Sequence, residues 1–464
     1  MDLNEQILVS DTDVVVEPST RTPLVDNFLN FATEFGFFLH LPRFRQSLSF
    51  PEEHSSRLSP GLLNVVELLG HHLDPNRNDK ARRRLEQKYL SLALLHIPKI
   101  LTSSHADRVI HAIQAEILLG MYFYHASSTL TAKYHLNAAL AMSFATGAHK
   151  IQGNLPLDWS LPGLSETATT ERERRITEGE KINGFWTALS LNISLAVALH
   201  SPLDELQMLQ SQNANIYSPW PMDIEEYATR YLLLETNYIA TMEAFLKQPS
   251  VAGRDPFAMY VKSSVLLGRA YILTQSMDRE NVVSERQTTE FVLLDKLIDT
   301  FHSTLIPFDQ TDSSSMILTT VFAIHIMTNV VIILLWSHCP SDEYRPHAIR
   351  KRVWAADSAA RIVIQFKEKC DGLFGFIHPI LIPLLLFISR VIVDEVERLA
   401  AAERQSPTAG EKETMEKRRK LERGLHGILE LMKANERHAP SSLTEIKALV
   451  TIYRSGGSLQ TTMQ

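Results

Sequence analysis

One period runs through nearly the whole chain: apolar residues return every three or four positions, and sustained apolar/polar alternation hardly occurs. That spacing puts apolar side chains on one face of a helix, whereas strands need a period of two, so an all-α, multi-helix fold is predicted with strands scarce. At 464 residues the chain exceeds the size at which one core usually keeps growing, so one large domain and two packed helical lobes are both open. The 45% hydrophobic and 21% charged content is that of a globular protein. Residues 1–20 and 456–464 read as disordered ends, 21–455 as the folded body, and 153–170 as the best internal lobe boundary.

Local signals place the first helices. Leu24, Val25, Phe28, Phe31, Ala32 and Phe35 share a helical face that ends at Gly36, a residue that terminates helices in a left-handed conformation. Pro60-Gly61 opens a helix over Leu62 to Leu73; Asp79 is placed to cap the next, which Pro98 should stop. Asp107 to Tyr124 and Leu130 to Phe144 flank the polar link His125 to Thr129, the pattern of an antiparallel hairpin, with Ala138, Ala139 and Ala141 allowing close approach. No second copy follows at a fixed period, so a helical-repeat array is not indicated.

A net charge of −7 opposes strong non-specific nucleic-acid binding, which needs Lys and Arg to neutralise phosphates. The two cysteines, Cys339 and Cys370, cannot build a disulfide framework and fit a reducing compartment as small buried hydrophobes. Met1 to Thr20 carries five acidic residues and no basic residue, unlike a secretory signal or mitochondrial presequence. Met316 to Trp336 is uncharged and long enough to span a bilayer, but Thr319, Thr320, His325, Thr328 and Asn329 interrupt it and no basic cluster flanks it. A buried core helix is the better reading there, as for the proline-broken run Phe376 to Ile388.

The most informative stretch runs from Glu171 to Pro202. Two charged turns lead into Ile182, Phe185, Trp186, Leu189, Ile193, Ala196 and Val197 on one helical face, and Pro202 then breaks the helix. Downstream, Ile216 to Asp223 sets Pro219 and Pro221 around Trp220, an extended strap expected to cross the helical core. This order of elements resembles the fungal-specific transcription factor domain, the middle homology region of zinc-cluster regulators. The matching residues are Gly179, Glu180, Ile182, Asn183, Phe185, Trp186, Ala198, Leu199, Pro202, Pro219, Trp220 and Pro221. Phe35-Gly-Phe-Phe-Leu-His-Leu-Pro-Arg-Phe44 is similar to the family's opening element, and Phe374 to Pro379 and Ile428 to Leu449 extend the likeness more weakly.

The resemblance implies an all-α regulatory domain acting in the nucleus on RNA polymerase II genes. Its implied partners are transcriptional co-regulators or a small-molecule effector, with homodimerisation open, no membrane, and DNA reached only indirectly or through a further N-terminal module. Family members carry six closely spaced cysteines that hold two zinc ions and present a helix to the major groove. No cysteine precedes the regulatory helices here, so neither zinc nor another cofactor is expected in this chain. The family also places an acidic and a basic residue in the middle of the signature helix, where this chain has Leu191, Asn192 and Ile193.

Other motifs have bland readings that outweigh sharp ones. Lys417, Arg418, Arg419 and Lys420 form a candidate nuclear-import signal and Arg350 to Arg352 a second, but Glu411, Glu413, Glu416 and Glu422 make the first a mixed-charge helix. Lys80, Arg82, Arg83, Arg84 and Lys88 fit an exposed helix face without interleaved aromatics. His71 and His72 point to different sides of a helix; Glu67 with His71, and Glu422 with His426, share faces, but two ligands are not a metal site. Asp295 and Asp299 share a face one turn apart beside Lys296 and read as surface decoration. Phe185, Trp186 and Trp220 suit core packing better than a ligand pocket. No catalytic residue is indicated, and no nucleophile elbow, P-loop or dinucleotide fingerprint occurs. A helical interaction scaffold outside transcription, and an all-α enzyme, remain as alternative classes.

Overall fold

The computed structural model describes residues 18–51, 54–74, 80–151, 168–202, 216–229, 240–247, 255–279, 283–312, 317–370, 376–405 and 411–435. Of the ends expected to be disordered, residues 18–20 belong to a helix instead, while 1–17 and 456–464 lie outside the described residues, as do 436–455 of the expected folded body, most of the 153–170 boundary and the Asp79 cap. Among the described residues the fold is all-α, with no strand. In chain order the helices are α1 (Pro18–Leu29), α2 (Leu41–Ser49), α3 (Pro60–His72), α4 (Lys80–Ile100), α5 (Arg108–His125), α6 (Thr129–Ala145), α7 (Ala168–Ala198) and α8 (Ile224–Thr229). There follow α9 (Thr241–Lys247), α10 (Pro256–Arg279), α11 (Glu285–Thr304), α12 (Leu318–Ser337), α13 (Arg345–Lys369), α14 (Leu381–Gln405) and α15 (Glu411–Ala434).

Buried apolar residues from Val25 to Met432 form one continuous core. On one side α3 packs on α1, α4 and α5, and α5 pairs with α6; on the other, α12 packs on α10, α11, α13 and α14, while α15 closes against α13 and α14. Between them lies α7, touching α5 and α6 on one side and α10 on the other. Its Phe185, Trp186 and Val197 are fully buried. The membrane-length segment is α12, largely buried by its neighbours. Two of its polar side chains bond within the helix: Asn329 Nδ2 donates to the His325 carbonyl at 2.8 Å and the Thr328 hydroxyl to Ile324 at 2.7 Å.

Several helix ends differ from expectation. The first helix stops at Leu29, and Gly36 (φ +76°) caps a single 3-10 turn, Thr33–Phe35, instead. A side chain at Gly36 would meet Thr187, Ile117 and Leu191 at 3.0–3.2 Å, so tight packing as well as backbone conformation selects glycine. Pro98 does not stop α4, which continues to Ile100. A proline this close to the end costs little backbone pairing, and Ile100 gains burial against Gly61, where its side chain lies within 2.7 Å of where a Cβ would sit. In the α5–α6 hairpin, Ala139 is buried as expected but Ala141 is exposed; the close approach is made by Ala132 and by Gly120 facing Leu136.

Candidate functional site

The helix α7 and the strap at 216–223 meet at their indoles. Trp186 and Trp220 are stacked, with ring centroids 4.8 Å apart and planes at 26°. Strap prolines remove two backbone donors and leave carbonyl oxygens in need of partners, and α7 supplies them. Trp186 Nε1 donates to the Pro219 carbonyl at 2.6 Å, and Asn183 Nδ2 donates to the Met222 carbonyl at 3.0 Å. Asn183 Oδ1 accepts from the Tyr227 hydroxyl at 3.0 Å, tying α8 to the same turn. Glycine at 179 makes room for that ring: a Cβ there would stand 2.5 Å from Tyr227. The Tyr217 and Ser218 amides both donate to the His149 carbonyl, which pins the strap's start.

Around the indoles the packing is aromatic throughout. Phe185 meets Trp186 edge-on at 5.1 Å and Phe144 at 5.4 Å, and Phe245 meets Trp220 edge-on at 5.5 Å. Beneath them lies Lys262 of α10, buried, its ammonium 5.2 Å from the Trp220 ring centroid and 5.7 Å from that of Phe245. Burial pushes the Lys262 ammonium down to about 8, while the two ring faces favour its charged form.

One turn upstream, Glu180 is buried at 2% exposure and held by the opening element. Its Oε1 accepts the His40 backbone N–H at 3.0 Å, and Arg43 lies 3.0 Å from Oε2 as an ion pair whose geometry is not that of an aligned hydrogen bond. Arg43 also donates to Asp107 at 3.0 Å and to Thr177 at 2.8 Å, so one guanidinium joins α2, α5 and α7. Burial pushes the Glu180 carboxyl up to about 7, against the opposing pull of Arg43 and the His40 amide. His40 places Nε2 2.9 Å from Glu225 of α8. None of Arg43, His40 or Lys262 was singled out from the sequence. The available signal was that a glutamate on an apolar helix face needs a buried cation, and Arg43 lies inside the opening element already quoted.

The helix exit is unusual. His200 takes φ +50°, a backbone region that favours glycine, and stacks on Phe387 at 5.4 Å. Pro202 itself is exposed, and Tyr271 donates to the Ser201 carbonyl at 2.7 Å. At the departure in mid-helix, Asn192 Nδ2 donates to the Leu136 carbonyl at 2.9 Å and to Ala188 at 2.8 Å, so a neutral amide links α7 to α6.

The remaining motifs are engaged in packing. Lys417 and Arg398 both pair with Glu395, Lys420 pairs with Asp357 at 2.8 Å, and Arg418 lies between Glu403 and Glu422 at 3.1 Å. The import-like run is therefore helical, with three of its four cations in ion pairs. Asp295 is more than decoration, because it accepts the Trp336 indole N–H at 2.7 Å while Lys351 bridges it to Asp299. His72 is buried against Glu86 and His125, whereas His71 packs on Tyr89. His426 lies 3.4 Å from Glu430, and Glu422 belongs to Arg418. Cys339 and Cys370 form no disulfide and are half-buried. Among the described residues no three potential metal ligands converge. The nearest approach to a nucleophile and base is Ser59 with His111 Nδ1 at 2.8 Å; burial holds His111 down to about 3, too weak a base to take a proton near neutrality.

In comparisons with family models, with curated proteins and with solved structures, nothing matches this chain.

Proposed function

We propose that this chain is the regulatory body of a transcription factor of the kind it resembles, acting in the nucleus through contacts with co-regulators or a small-molecule effector. The observation that carries the reading is the Trp186–Trp220 latch, because the two halves of the signature lie more than thirty positions apart and meet ring on ring. Arg43 adds support: it comes from the opening element and reaches the signature's own Glu180. Such a body contributes no base-specific contact; it serves as a rigid helical platform whose surface is read by other molecules.

The test is a tethered reporter. The chain is fused to an unrelated DNA-binding domain, and reporter output and the position of a fluorescent tag are measured together. The expected result is nuclear residence with output clearly above or below that of the DNA-binding domain alone. Cytoplasmic residence with unchanged output would favour a scaffold outside transcription and overturn the reading.

A further inference from the structure

We propose that the groove around Trp354 is a docking site for an acidic amphipathic helix of a partner protein. It is a cleft of about 280 Å³ between α13, the second half of α14 and the first half of α15. Trp354 is 46% exposed, an unusual position for so large an apolar ring, and Ile349 on the preceding turn is 41% exposed. Val353 and Leu421 complete an apolar floor. One edge of the tryptophan is steadied by His302 at 5.2 Å, so the ring is held in place rather than swinging freely.

The rim specifies the partner's charge. Arg350, Arg398, Lys417 and Lys420 line the cleft with Asp357 and Glu395, and four cations less two carboxylates leaves two positive charges on a chain of net charge −7. Both carboxylates are already paired, Asp357 with Lys420 and Glu395 with Lys417 and Arg398, whereas Arg350 is exposed and has no carboxylate partner among the described residues. An apolar floor with a cationic rim complements a helix bearing apolar anchors at three- and four-residue steps with carboxylates beside them. Nucleic acid fits less well: Trp354 offers a single stacking face among aliphatic side chains, and Asp357 and Glu395 would oppose phosphates. A cleft this open lies below the usual size of small-molecule pockets but accepts one or two large side chains. The proposal rests on the groove alone and holds whatever process the chain serves.

The test is fluorescence anisotropy of the full chain with a fluorescein-labelled peptide of about 15 residues, long enough to form helix, with Leu on one face flanked by Glu. Saturable binding that weakens with salt is expected, along with a loss of about tenfold or more in Trp354→Ala, as for a central aromatic anchor. Arg350→Glu, at an exposed position, is expected to weaken the Glu peptide and strengthen a Lys-substituted one. Circular dichroism verifies that both variants remain helical. Absence of saturable binding, or equal affinity in wild type and both variants, overturns the proposal. So does a duplex oligonucleotide that displaces the peptide and depends on Trp354, or a self-association that sedimentation shows to be lost in Trp354→Ala.

Discussion

At Trp186 a fully buried indole is tolerated because its one polar atom has an acceptor, the Pro219 carbonyl. Trp186→Phe keeps a ring and strands that carbonyl, so a loss of about 1–2 kcal/mol is expected. Trp186→Ala also leaves a cavity and should cost about 3–5 kcal/mol, both read from urea denaturation. The buried Glu180 makes a pH prediction. Its folded value lies above the ordinary 4.5, at about 7, so its protonated form favours folding. That contribution is full below about 4.5 and is lost as pH rises toward 7, and Glu180→Gln should flatten this part of the stability profile. Arg43→Met removes the cation that opposes protonation, so its penalty should be larger at pH 8 than at pH 5; an equal penalty at both would show that the pair does not govern the carboxylate. Of these residues, helical spacing made Trp186 legible, and Glu180 was named only through the resemblance to the transcription factor domain. Arg43 was not legible, because its partner lies well over a hundred positions away and nothing in local pattern encodes that contact.

Among the elements, α7 shows how a helix is ended and crossed. His200 occupies the left-handed region without being glycine, a conformation that costs a side-chain-bearing residue roughly 1–2 kcal/mol. Thermal unfolding of His200→Gly and His200→Ala should rank glycine as the more stable, by about 1 kcal/mol, because alanine keeps the Cβ and loses the ring on Phe387. Gly179→Ala works in the opposite direction: the new methyl would stand 2.5 Å from Tyr227, and overpacking of this kind costs about 1–3 kcal/mol. Helix identity was readable from apolar period in α7, from the opening Pro60-Gly61 in α3, from the polar link between α5 and α6, and from an uncharged apolar run in α12. The ends were less so, since α4 runs past Pro98 to bury Ile100 and α1 stops at Leu29, outcomes decided by tertiary packing rather than by the stop residue itself. The basic run on α15 had a sequence-level meaning as an import signal. In the fold its Lys417, Arg418 and Lys420 stitch α15 to carboxylates of α13 and α14, so reading it as an extended peptide requires that helix to melt.

Across the whole molecule, the continuous core means that α7 is shared property: one side packs on α5 and α6, the other on α10, and the strap lies over the join. Lys262 illustrates what a sequence of this size conceals, for a lysine within the apolar period of α10 gives no hint that it is buried beneath Trp220 and Phe245. A body organised around one helix should lose stability everywhere when that helix loses its latch. The direct measurement is native-state hydrogen exchange on wild type and Trp186→Ala, followed in α6 on one side and α12 on the other. The account predicts that the most protected amides of both helices lose the same opening free energy, about 3–5 kcal/mol, in the variant. Loss confined to α6, with α12 exchanging as in wild type, would contradict it.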